Sequence, residues 1–158
     1  MKLKLSLSSG KKIVYFDMDN TLVDFQSGID QLSPAVREHY EGRLDEVPHI
    51  FSTMKPIAGA NAAFRELSEL FDCYILSTAP WDNPSAWTDK LLYVKQHLGV
   101  GAVKRLILSH NKHLNIGDFL IDDRLHNGAD RFTGELIPFG SAKFPDWAHV
   151  VKYLKERI

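Results

Sequence analysis

The stretch KKIVYFDMDNTLVDF, residues 11 to 25, constrains the fold more than any other part of the chain. Ile13-Val14-Tyr15-Phe16 is an unbroken apolar run of strand length. Runs without alternation belong to strands buried on both faces, as in parallel sheets flanked by helices. Asp17 and Asp19 follow immediately, one residue apart. Two carboxylates therefore stand at the carboxyl end of a buried strand, where open α/β sheets bind their ligands.

The rest of the chain supplies partners for such a strand. DCYILST (72–78), VKRLILS (103–109) and DFLIDD (118–123) read as further buried strands, and RFTGELIPF (131–139) holds a fifth. GANAAFRELSELF carries Ala63, Phe64, Leu67, Leu70 and Phe71 at helical spacing. AWTDKLLYVKQHLG reads as a helix with Leu91, Val94 and Leu98 on one face and Gly99 as its stop. FPDWAHVVKYLKERI is a final amphipathic helix with Pro145 near its start. Alternating strands and helices predict an α/β domain with a mainly parallel central sheet, a Rossmann-like three-layer sandwich. One domain spans residues 1–158, with residues 26–55 as a short insertion after the first strand. That insertion is more polar, contains Pro34 and Pro48, and includes PAVREHYEG as one helix begun by Pro34 and ended by Gly42. It is placed to cover the site.

Composition narrows the function classes. Hydrophobic residues make up 44% and charged residues 25% of 158, with a formal net charge of -1. This is an ordinary globular balance, with no basic surplus for a nucleic-acid polymer or a membrane surface. Cys73, the single cysteine, lies in an apolar strand and reads as a core residue, compatible with a reducing, cytoplasmic setting. MKLKLSLSSG alternates apolar and polar residues, unlike a signal peptide; it reads as an edge strand turning at Ser8-Ser9-Gly10, or as a tail.

Three predicted strands end in acids or hydroxyls: Asp17 and Asp19, then Ser77 and Thr78, then Asp122 and Asp123. Asp118 precedes its strand and reads as a capping or surface residue. Each signal alone has a plain explanation as a turn, a cap or a solvated loop. Their joint position on one sheet edge is harder to explain so. Two carboxylates ~4 Å apart repel by about 4 kcal/mol at an effective dielectric of ~20, so the cluster calls for a divalent cation, and hard oxygen donors favour Mg2+.

DMDNT after a buried strand, LST after the next, a downstream Lys and LIDDR resemble the four motifs of the haloacid-dehalogenase-like (HAD) phosphohydrolases over residues 13 to 124. DMDNTLVDF, the spacing from ST through Lys90 to YVKQHLG, LILSHNK and FLIDDR resemble the 5'(3')-deoxyribonucleotidases within that superfamily. The resemblance implies a phosphatase of small phosphomonoesters, nucleoside monophosphates foremost, working through an aspartyl-phosphate. Asp17 would be the nucleophile and Asp19 the general acid/base. Ser77, Thr78 and Lys90 would hold phosphate. Mg2+ would lie on the Asp17 carboxylate, the Asp19 carbonyl and Asp123, with Asp122 behind it or as an alternate ligand. Phe25 matches an aromatic that lies against the base, with core packing as its equal alternative. Lys112 is the other candidate lysine, on the expectation that only one of the two touches phosphate. Arg124 either orients the acids or makes a surface salt bridge. His110 stands where the resembled family carries Arg, and no role is assigned to it. Trp81 and Trp87 read as packing residues.

Rival readings remain at this stage: a HAD phosphatase of a non-nucleotide metabolite, a phospho-accepting receiver domain, or a binding module without turnover. Receiver domains place the acid pair early and the phosphorylated Asp later, the reverse of the order here. No catalytic residue expected from the resemblance is missing, which disfavours a dead site. A homodimer is left open. The insertion of about 30 residues contains no Trp, and the aromatics there are Phe25, Tyr40 and Phe51, so an open site with weak discrimination among bases is expected.

Overall fold

The computed structural model describes residues 10–158. The edge-strand reading of the N-terminus falls on residues 1–9, outside the described residues. Five strands, β1 (Ile13–Phe16), β4 (Asp72–Ser77), β5 (Leu106–Leu108), β6 (Phe119–Asp122) and β7 (Glu135–Pro138), form one sheet in the order β5-β4-β1-β6-β7. Every pairing in it is parallel. β1 lies at the centre, which is why its apolar run does not alternate.

Successive β1 residues serve opposite faces. Val14 and Phe16 join Cys73, Ile75, Phe119, Ile121 and Ile137 in the larger core cluster. There they meet side chains of α3 (Ala60–Leu70), α4 (Pro84–His97) and α5 (Trp147–Lys155). Phe16 packs between Phe64, edge-on at 5.1 Å, and Trp147, stacked at 5.6 Å. Tyr15, Leu76 and Leu120 face the other way, against Ala129 and Phe132. Cys73 is buried as expected, and burial pushes its thiol up to about 12, so it is an inert core group.

The helix boundaries refine the sequence reading. α4 begins at Pro84, so Lys90 lies in its middle and not at its start. Its buried stripe is Ala86, Asp89, Lys90, Tyr93 and Val94, while Leu91 is 42% exposed. Of the expected face, Val94 and Leu98 are buried and Leu91 is not; the charged Lys90 takes its place on the buried side. Asp118 is exposed and capping, as expected: its carboxylate accepts the Ile13 N–H at 2.8 Å at the entry to β1.

The chain leaves the first motif through β2 (Val23–Asp24) and returns through β3 (Lys55–Pro56), which pair antiparallel. Between them stand α1 (Phe25–Ile29), α2 (Pro34–His39) and two 3-10 turns, Leu44–Glu46 and Ile50–Ser52. Ser33 caps α2 through the Val36 N–H, and Pro34 occupies its first turn. Gly28 in α1 lies so close to Met54 that an added Cβ would come within 2.9 Å of its side chain. The insertion is tied to the start of α4: the Asn83 side chain donates to the carbonyls of Asp45 (2.8 Å) and Val47 (3.1 Å).

Candidate active site

The loop after β1 turns back on itself. The N–H groups of Thr21, Leu22 and Val23 all reach the Met18 carbonyl, at 3.1, 2.9 and 2.9 Å. Asn20 takes a left-handed φ of 59°, which Asn tolerates better than most residues. This tight turn keeps Asp17 and Asp19 on the strand's own end, while the parallel neighbours β4 and β6 bring Ser77 and Asp122 to the same edge.

The acids are matched to two lysines. Lys90, fully buried, donates to both carboxylate oxygens of Asp19 (3.0 and 2.9 Å) and to the Ser77 hydroxyl (2.9 Å). Lys112 donates to Asp17 at 2.9 Å and to Asp122 at 2.6 Å. Both lysines thus enter the site, each bound to different acids. Lys112 is carried by the loop after β5, the next strand along the same edge. Burial alone would lower the Lys112 pKa, but Asp17 and Asp122 outweigh it and hold it above the ordinary value.

Carboxylates remain in excess. Four of them (Asp17, Asp19, Asp122, Asp123) face two ammonium groups and the half-exposed Arg124 guanidinium, a balance of -4 + 3 = -1. Burial, with Asp17 next, pushes Asp122 up to about 6 in spite of Lys112. Burial, Asp17 and Asp122 push Asp123 up to about 7. Asp19 is also raised, by burial first, with Lys90 pulling against it and Asp17 adding to it. The acids are disfavoured as anions by burial first and by one another next, while Lys112 is favoured as a cation because Asp17 and Asp122 outweigh its burial.

That excess fits a divalent cation. Oxygens of Asp17, Asp122 and Asp123 lie within 4.8 Å of one another, and Asp123 Oδ1 is buried without a hydrogen-bond partner. Three hard oxygen donors and an unpaired buried lone pair suit Mg2+.

The remaining predicted residues separate by role. Ser77 is fully buried against Lys90 and supports that lysine. Thr78 donates to the Ser109 carbonyl at 2.7 Å and lines a cleft of about 450 Å3 beside the acids. Phe25 lines the same cleft, as do His110 and Arg124. The Arg124 N–H donates to Asp122 at 3.0 Å, and its guanidinium stands 4.0 Å from Asp123, more than half exposed. Trp81 corrects the packing expectation: it is 77% exposed and forms part of the cleft wall, its ring 5.8 Å from His110. Trp87 lies on the other side of His110 at 6.1 Å. His126 and Asn127, beside Asp17 and Lys112 in a small polar hollow, were not anticipated. Their place in the loop after β6 is the one signal that points to them.

Comparison with known proteins agrees with this geometry. Residues 34–152 match the family described as 5' nucleotidase, deoxy (pyrimidine), cytosolic type C protein. The chain is 65% identical over 144 residues to a protein of Vibrio phage KVP40 named as a 5'(3')-deoxyribonucleotidase, with 91% of this chain and 85% of the relative covered. It is 29% identical over 167 residues to the human cytosolic 5'(3')-deoxyribonucleotidase, covering 87% and 78%. Among solved structures, the HAD-hydrolase YfnB of Bacillus subtilis, bound to magnesium, superposes with a TM-score of 0.54 at 16% identity, covering 86% of this chain and 90% of that one, a likeness of fold. The chain belongs to the 5'(3')-deoxyribonucleotidase family of HAD-like hydrolases.

Proposed function

We propose that the chain hydrolyses nucleoside monophosphates, deoxyribonucleotides foremost, by way of a phosphoaspartate at Asp17. The observation that carries this reading is the division of three acids (Asp17, Asp19 and Asp122) between two buried lysines at the end of a parallel sheet, with Asp123 beside them and an aromatic cleft adjoining. The family and the names of its relatives point the same way.

In this reading an Asp17 oxygen attacks phosphorus as the bond to the nucleoside oxygen breaks. Asp19 gives its proton to that oxygen; its raised proton affinity suits the task. Asp19 then takes a proton from water, the water oxygen attacks phosphorus, and the acyl-phosphate bond breaks. Inorganic phosphate leaves and the Asp17 carboxylate is restored. Lys90 holds Asp19 in place, Lys112 aligns Asp17, and Thr78 with the Lys112 charge receives the phosphate oxygens. Asp17, Asp123 and the Asp19 carbonyl would hold Mg2+, with Asp122 behind them. Bound there, the ion would offset the repulsion between a dianionic phosphate and a carboxylate nucleophile. Phe25 and Trp81 offer ring faces to the base, and residues 26–55 act as a small cap over the cleft.

The test is a screen of phosphate esters with Mg2+, including all deoxyribonucleoside monophosphates, sugar phosphates and p-nitrophenyl phosphate. Turnover of the nucleotides at the highest catalytic efficiency is expected. Best turnover of a non-nucleotide metabolite, or none of any ester, would overturn the reading.

A further inference from the structure

We infer that Phe51 is a positioning residue for the Lys90–Asp19 pair, linking the cap to proton transfer. Phe51 belongs to the 3-10 turn Ile50–Ser52 of the insertion and is 3% exposed. Its ring lies 4.5 Å, centroid to Nζ, from the Lys90 ammonium. That ammonium is fully buried, and its N–H groups reach Asp19 and Ser77. The aromatic face therefore closes the side of the cation that no oxygen covers. A desolvated ammonium gains from a ring face within about 6 Å, and it gains most where water is excluded.

The other edge of the arrangement matters equally. Phe51 meets Phe25, edge to face, at 5.7 Å, and Phe25 lines the cleft. A continuous series runs from cleft to acid: Phe25, Phe51, Lys90, Asp19. Phe51 is too buried to stack on a base, and its face is taken by the lysine. Its contribution is to hold the ammonium against Asp19, and so to fix the direction in which Asp19 delivers its proton.

This inference rests on the reading of Asp19 as general acid, and the esters are chosen to test the two separately. Deoxyribose 5-phosphate departs as an alkoxide and needs the proton. p-Nitrophenyl phosphate departs as a stable phenolate and scarcely needs it. Thymidine monophosphate adds the base. The probes are Phe51→Leu, Phe51→Tyr and fluorinated phenylalanines at position 51, which keep ring shape and packing while weakening the negative face. With trifluorophenylalanine, the single-turnover rate of the first step, release of the leaving group before the shared hydrolysis of the phosphoaspartate, should fall about tenfold for the two alkyl esters and less than about threefold for p-nitrophenyl phosphate. The fall should grow with each fluorine. Phe51→Tyr should retain most of the wild-type ratio, and Phe51→Leu, if it folds, should lose as much as the trifluoro ring. A ratio between alkyl and aryl esters that stays flat across the fluorine series would overturn the inference while leaving the phosphatase reading intact. So would an equal loss on all three esters, or a loss confined to the nucleotide. Absence of wild-type activity on every ester would overturn both.

Discussion

The two ends of the cleft are built differently. At the phosphate end, Asp17, Asp122, Lys90 and Lys112 are all nearly inaccessible; Lys112 bonds Asp17 at 2.9 Å and Asp122 at 2.6 Å, and Lys90 bonds both oxygens of Asp19 at 3.0 and 2.9 Å. At the other end, Trp81 projects from the loop after β4 and is 77% exposed. Charges that must act on a phosphate gain strength from a dry, fixed setting. Rings that meet a base need only offer a face, which a loop residue does without a fixed partner. The first kind of group is secured by burial and ion pairs, the second by its place on a loop, and substitutions should separate the two ends accordingly.

The largest effect is expected at the phosphate end. Asp17→Asn keeps shape and removes the nucleophile, so kcat should fall by a factor on the order of 10⁴ or more. Folding should survive, since the amide remains within reach of Lys112 and the variant lowers the excess of negative charge. Circular dichroism and single-turnover kinetics check both halves. Retention of most wild-type activity would break the assignment of Asp17, and the comparison with it.

A smaller effect concerns pH and metal at the same end. In the folded, metal-free protein Asp122 and Asp123 are held at about 6 and about 7, above the ordinary 3.8. The folded state therefore binds more protons than the unfolded chain between about pH 4 and 7. Stability contributed by these groups is full below the unfolded value and is lost as pH rises through 6 and 7. Tm after chelation should fall across that window and level off above it. Mg2+ competes with those protons, so its stabilisation should be small near pH 5. Near pH 8 it should reach roughly 2.7 kcal/mol at ~100 times Kd. A Tm that is independent of pH after chelation and indifferent to Mg2+ would contradict the charge balance described for the site.

The same division governs what was legible in the sequence. The central strand, its parallel neighbours and the acids at their ends follow from apolar runs that stop at Asp17, Ser77 and Asp122, and the sheet realises them. Lys112 was weighed against Lys90 as a rival because a sequence does not say how many cations a cluster of acids will draw in. The charge count in three dimensions does. Phe51 was not legible as a lysine partner, since short 3-10 turns carry no periodicity from which a facing direction follows. Trp81 was misread by applying the average habit of tryptophan, which is burial, to a residue four positions beyond a strand end. On that edge of an open sheet, loop position is the stronger guide.

Trp81 also offers the finest test of the comparison. The insertion contains no Trp, and on that ground alone a poorly enclosed base was expected. The exposed ring of Trp81 supplies, from the loop after β4, a second face in the cleft that Phe25 lines. Base–aromatic stacking is worth about 1–3 kcal/mol, so Trp81→Ala should lower kcat/KM for thymidine monophosphate by about tenfold, mostly through KM. Deoxyribose 5-phosphate carries the same leaving group without a base, and its kcat/KM should change less than about twofold. The substituted residue is exposed, so Tm should move little. Stacking accepts any π-face, and the wild type should therefore separate thymidine, deoxyuridine, deoxyadenosine and deoxyguanosine monophosphates by less than ~100-fold, about 2.7 kcal/mol. A larger preference would mean that hydrogen-bonding groups in the loops read the base edge, and the base end would then be as specifically built as the phosphate end. An equal loss on the sugar phosphate would place Trp81 with the catalytic groups instead, and the contrast between the two ends would fail there.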